Sequence, residues 1–128
     1  MTSTPITRRA FVAASAVAMI ASSAAAHHGW SWAEGEQTEL TGVIQEVYIG
    51  QPHPTLTVET ESDGVWTIEL ANPGQTARSG FNEDSAAAGD TVTALGNRSS
   101  NPDEKRMKAV RITVRDKTYD LYPDRIQS

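Results

Sequence analysis

Thr55-Leu56-Thr57-Val58-Glu59-Thr60 and Val65-Trp66-Thr67-Ile68-Glu69-Leu70 each alternate polar and apolar residues, and Ser62-Asp63-Gly64 lies between them. A period of two sends successive side chains to opposite faces of a strand, and a short turn containing Asp-Gly joins two such runs as a hairpin. Leu56, Val58, Trp66, Ile68 and Leu70 are the predicted inward face.

Upstream, Glu39 to Ile49 is rich in Leu40, Val43, Ile44, Val47, Tyr48 and Ile49 and reads as another strand, with Gly42 marking a bulge or strong bend. Pro52-His53-Pro54 ends its pairing, because a proline has no N–H to give a ladder. Residues 27–38 read as an irregular lead-in around Trp30 and Trp32. Downstream, Asn72 and Pro73 suit the cap and first position of a short helix, and Gly80 suits its end. Asp90 to Gly96 resumes the strand pattern, and Arg106 to Val114 carries Val110, Ile112 and Val114 at a period of two. The expected fold is therefore all-β: an OB-like barrel of five strands with one short helix between strands 3 and 4. An open β-sandwich accommodates the same pattern.

The chain has 128 residues and no cysteine, which sets one small domain without a disulfide framework or thiolate chemistry. Residues 1–26 read as an export signal. Arg8-Arg9 precedes an uncharged run from Phe11 to Ala26, too short for a bilayer span of about 20 residues and closed by small residues. The arginine pair and weak hydrophobicity resemble a twin-arginine signal, giving a periplasmic protein with no membrane attachment after cleavage. Cuts before Ala26 and before His27 both fit. The remainder divides into the lead-in, 27–38, and the barrel, 39–128; from His27 onward 9 basic residues face 16 acidic ones. A phosphate-binding groove needs the opposite balance, so no nucleic-acid partner is expected.

All 3 histidines, His27, His28 and His53, remain in the mature chain, two of them at its start. Imidazole and a free amine are good ligands for Cu(II), Ni(II) and Zn(II), and chelation by both favours tetragonal Cu(II). A cut before His27 lets one residue chelate through amine and ring, with His53 completing a set of three nitrogens. A cut before Ala26 makes His28 the third residue, whose imidazole joins the amine and two backbone amides in a square plane. The plain alternatives are a solvated tail for the pair and a rigid turn for His53. Glu69 faces away from Trp66 and Ile68 by alternation, which ordinarily means a carboxylate in solvent. Trp30, Trp66 and Glu69 are candidates for a ligand face. Met107 is the single mature thioether, which excludes a methionine-rich Cu(I) carrier. Lys105, Arg106, Lys108, Arg111, Arg115 and Lys117 read as the charged protection of an edge strand. No phosphate loop, nucleophile elbow or catalytic carboxylate pair is present.

Ala26-His27-His28, Leu40-Thr41-Gly42-Val43-Ile44 and Pro52-His53-Pro54 resemble uncharacterised exported bacterial proteins of the domain of unknown function 6152 family. The likeness continues through Trp66 to Leu70, Arg78-Ser79-Gly80-Phe81 and Ala88 to Gly96. Where that family reads His-His-Ser-Phe and Asn-Pro-His, this chain has His27-His28-Gly29-Trp30 and Gln51-Pro52-His53. The resemblance implies a small periplasmic β-barrel without a known activity, and it directs attention to the three histidines. Three classes follow: a periplasmic Cu(II)-binding protein without turnover, with a metal ion and a periplasmic protein as partners; a non-metal ligand- or protein-binding module; and a histidine-brace copper oxygenase, for which the sequence shows no substrate surface.

Overall fold

A computed structural model describes residues 29–127, in which β1 (Ala33–Tyr48), β2 (Thr55–Glu59), β3 (Val65–Glu69), α1 (Pro73–Arg78), β4 (Thr91–Ser99), β5 (Arg106–Val114) and β6 (Lys117–Asp120) follow in that order. A 3-10 turn at Pro123–Arg125 precedes the end. Trp32 onward forms one compact unit.

The hairpin of β2 and β3 pairs Leu56 with Ile68 and Val58 with Trp66, and Gly64 takes φ +76 in its turn. All five predicted inward residues are buried. The sheet runs β3-β2-β1-β4-β5-β6, and β5 returns to pair with β3 in parallel, closing β1, β2, β3, β5 and β4 into an OB-like ring. Closure removes two open edges and gives the inner face one continuous core of Ile44, Leu56, Val58, Ile68, Val92, Met107 and Ile112. Each such side chain stabilises the fold by about 1.5–3 kcal/mol on burial.

Asn72 caps α1 by accepting a hydrogen bond from Gln75 N at 2.8 Å, and Gly80 leaves the helix at φ +99. Phe81, just beyond, is buried edge-on against Tyr119 of β6, with ring centroids 5.3 Å apart.

Three expectations change. Strand β1 begins at Ala33, inside the expected lead-in: Ala33, Gln37 and Thr38 pair with β4, with a register shift between Ala33 and Gln37. The β1 bulge falls at Gln45, between Ile44 and Glu46 in register, rather than at Gly42. Gly42 is there for another reason: a Cβ would come within 2.5 Å of the Glu59 carbonyl oxygen. The third change is a sixth strand. Arg115 and Asp116 both adopt left-handed conformations, at φ 53 and φ 60, and fold β6 back onto β5. Strand β5 is therefore interior, bonded to β3, β4 and β6, and is not the charged edge its sequence suggested.

Candidate functional site

Five of the six basic residues around β5 are matched by carboxylates. Lys105 reaches Asp63 at 3.0 Å, Arg111 reaches Asp120 at 2.6 Å and Arg115 reaches Asp90 at 2.9 Å. Lys117 Nζ lies 6.0 Å from the Tyr119 ring centroid, and the other two, Arg106 and Lys108, converge where β3 meets β5. The parallel register sets Thr67 beside Arg106 and Glu69 beside Lys108, with these side chains on the outer face of the ring.

Glu69 does face away from Trp66 and Ile68, as alternation requires, yet it is only 8% exposed rather than solvated. Its Oε2 accepts a hydrogen bond from Arg106 Nη2 at 2.8 Å, and its Oε1 accepts one from Lys108 Nζ at 3.3 Å. Lys108 is itself 2% exposed. Burial pushes the Glu69 carboxyl pKa up, but the Arg106 hydrogen bond and the Lys108 charge outweigh it and hold the group below the usual range.

Three neighbours complete the seam. The Trp32 ring lies over the Arg106 guanidinium at 3.7 Å. Tyr122 packs against the core, and Lys108 Nζ stands 5.9 Å from its ring. The chain holds Tyr122 there because Leu121 N and Tyr122 N both donate to Val110 O, at 2.8 and 3.1 Å. His53, from the β1–β2 loop, places Nε2 3.7 Å from Glu69 Oε1, while its Nδ1 is buried without a hydrogen-bond partner.

The sequence-derived candidates thus separate. His53 and Glu69 come together. Trp66 is instead part of the core, 5% exposed, with its Nε1 buried and unpartnered and the Arg98 guanidinium 4.8 Å from its ring centroid. Trp30 is half-buried. His27 and His28 lie outside the described residues. Arg106, Lys108, Trp32 and Tyr122 were not foreseen as members of this cluster. Among the described residues, no three His, Cys, Asp or Glu side chains gather as a metal-binding group. His53 fits the part of one nitrogen ligand; Glu69, already shared by two cations, fits that of an orienting partner.

A five-strand ring closed by parallel β3–β5 pairing, with its helix between the third and fourth strands, defines an OB-like β protein carrying a buried ion cluster on its outer seam. The chain belongs to the family of unknown function DUF6152, whose family model matches residues 14–108. No curated protein matches it. Among solved structures it is similar to a chain of the Stn1–Ten1 complex of S. pombe, with a TM-score of 0.51 and 19% identity over 61% of this chain and 57% of that one. It is also similar to the ZRD-deleted mutant of TiaS in complex with agmatine, with a TM-score of 0.52 and 16% identity over 67% of this chain and 26% of that one. At such identities the likeness concerns the fold. The chain spans just over half of the first protein and about a quarter of the second.

Proposed function

We propose that this is an exported periplasmic protein that binds a metal ion, Cu(II) above others, through His53 together with His27 and His28 at the mature amino terminus. The observation that supports the reading is the state of His53. Its Nδ1 is a buried ring nitrogen with no partner, and its Nε2 faces a carboxylate held in place by two cations. Metal-binding imidazoles are typically arranged this way, one nitrogen toward a carboxylate and the other toward the ion. An unpaired buried polar atom costs about 1–3 kcal/mol, which a bound ion would offset.

The reading asks the amino-terminal segment to supply the other nitrogens. His28 precedes Trp32 by four residues, a reach of about 14 Å when extended, and Trp32 is seated on Arg106 of the His53 cluster. The terminal amine is free only after residues 1–26 have been removed, so loading follows export and cleavage.

The test is the Cu(II) electron paramagnetic resonance spectrum of mature protein with its native start, at one equivalent of copper. We expect a single tetragonal, nitrogen-rich species that changes in His53→Ala and in a chain carrying extra residues before Ala26. Heterogeneous signals indifferent to both changes would leave a loose terminal chelate and overturn the reading.

A further inference from the structure

Strand β1 is paired on one side only along its first half. Its ladder with β4 runs from Ala33 to Val43, whereas its ladder with β2 begins at Val43. Successive residues of a strand send their N–H and C=O to opposite sides, so the direction of one fixes the rest. Ile44 N donates to Asp90 O and Ile44 O accepts from Gly89 N, each at 2.8 Å and each on the β4 side. Thr38, Leu40 and Gly42 bond toward β4 in the same sense. Gln37, Glu39 and Thr41 turn their backbone groups the other way, past the end of β2.

What this edge accepts is visible at its first position. The Gln127 side-chain amide docks there as a peptide group would: its Oε1 accepts from Gln37 N at 3.3 Å and its Nε2 donates to Gly35 O at 3.0 Å. Gln37 returns the arrangement, its Oε1 accepting from Gln127 N at 2.9 Å and its Nε2 donating to Arg125 O at 2.6 Å. Beyond this plug, the Gln37 C=O, the Glu39 N–H and C=O and the Thr41 N–H have no partner among the described residues. A groove of about 540 Å³ runs beside them, between Thr41 and Val43 of β1 and Glu59 to Glu61 at the end of β2.

A row of open backbone groups binds an extended chain by adding it as a strand, and the flanking side chains select which chain. Glu36, Glu39 and Glu61 are exposed along this stretch and make no ion pair among the described residues. A second copy laid antiparallel about its middle would set Glu39 against its own counterpart, a like-charge pair that disfavours self-association. We propose that the edge of β1 from Gln37 to Thr41 docks an extended, lysine- or arginine-bearing segment of a partner protein. Residues of that segment opposite Gln37, Glu39 and Thr41 carry the positive charge on the outer face. Those between them turn inward, as Leu40 does, and are apolar. The proposal uses none of the histidines and stands apart from the copper reading.

The probe is the peptide acetyl-Lys-Val-Lys-Val-Lys-amide, titrated into ¹⁵N-labelled mature protein without copper. The backbone amide cross-peaks of Glu39 and Thr41 are expected to shift saturably, and these amides to exchange more slowly with solvent. Replacing each lysine of the peptide by glutamate weakens binding about tenfold or more, and Glu39→Lys with Glu61→Lys, both on exposed side chains, reverses that preference. A peptide N-methylated at its central lysine, whose N–H would face Glu39, does not bind; this tests the backbone bonds without altering the protein. The proposal is overturned if the two cross-peaks stay in place, or if the glutamate or N-methylated peptide binds as well. A concentration-dependent dimer in the absence of peptide overturns it too, because the edge would then belong to a second copy.

Discussion

Ile68 and Glu69 are neighbours on β3, both almost fully buried, and they are buried for different reasons. Ile68 lies at the centre of an apolar ring built by alternation in every strand, so each strand's own sequence announces its contribution. Glu69 is on the opposite face, where alternation promises solvent. It is covered because β5 closes against β3, and because Trp32, His53 and Tyr122 come from three distant parts of the chain to lie over the seam. The inner face is held by area, and the seam by matched charge. The two should therefore respond differently to the loss of one side chain.

The largest effect is expected at the seam. Glu69→Ala removes the carboxylate that faces both the buried Lys108 ammonium and Arg106, and breaking a buried pair in this way typically costs about 3–5 kcal/mol. Ile68→Ala should cost about 2–5 kcal/mol through lost burial and the cavity left behind. A second substitution separates the cases. Glu69→Leu with Lys108→Met should regain most of the stability lost in Glu69→Ala, since an apolar pair of similar volume often replaces a buried ion pair at little cost. Arg106 keeps Glu104 as a partner in that background. Urea midpoints decide the matter: a double variant no more stable than Glu69→Ala would mean that the charges hold the seam by more than mutual neutralisation.

Acid should affect the same contrast more mildly. The folded Glu69 pKa lies below its ordinary value of 4.5. A depressed carboxyl contributes stability that is present above the unfolded value and is lost as pH falls through the folded one. The wild-type urea midpoint should accordingly fall more steeply below about pH 4.5 than that of Glu69→Gln. Parallel profiles for the two proteins would remove Glu69 from the acid response, whereas the apolar side of the strand should contribute no slope at all.

Legibility in the sequence followed this division. The hairpin, the Asn72 cap, the helix position and the strand at Arg106–Val114 all depend on local pattern, and all stand where the residues place them. Strand β6 was missed because its turn uses Arg115-Asp116 rather than a glycine pair, and its four residues bring only Tyr119 into the core. The Glu69–Lys108 pair joins residues 39 apart in sequence, and nothing in either strand alone distinguishes a seam carboxylate from a solvated one. Lys117-Thr118-Tyr119-Asp120, followed by Leu121-Tyr122, was the available clue, since an extra short strand after β5 implies that something folds over that face. Of the candidate metal ligands named from the sequence, His53 is the one among the described residues, and its neighbouring carboxylate becomes visible only through ring closure.

The smallest effect concerns the cover itself. Tyr122 has its phenol pKa raised above 10, first by burial and then by the Glu69 charge, with Arg125 acting in the opposite direction. A group whose folded pKa exceeds its unfolded one contributes stability that is full below the unfolded value and is lost as pH rises through the folded one. Absorbance at 295 nm should therefore show a late-ionising component that Tyr122→Phe deletes. In Glu69→Gln the late transition should move to lower pH, because the negative charge opposing phenolate formation has gone. No movement would mean that burial alone sets the tyrosine and that the cover and the charged seam act independently; movement would show that the C-terminal turn senses the ion cluster that His53 faces.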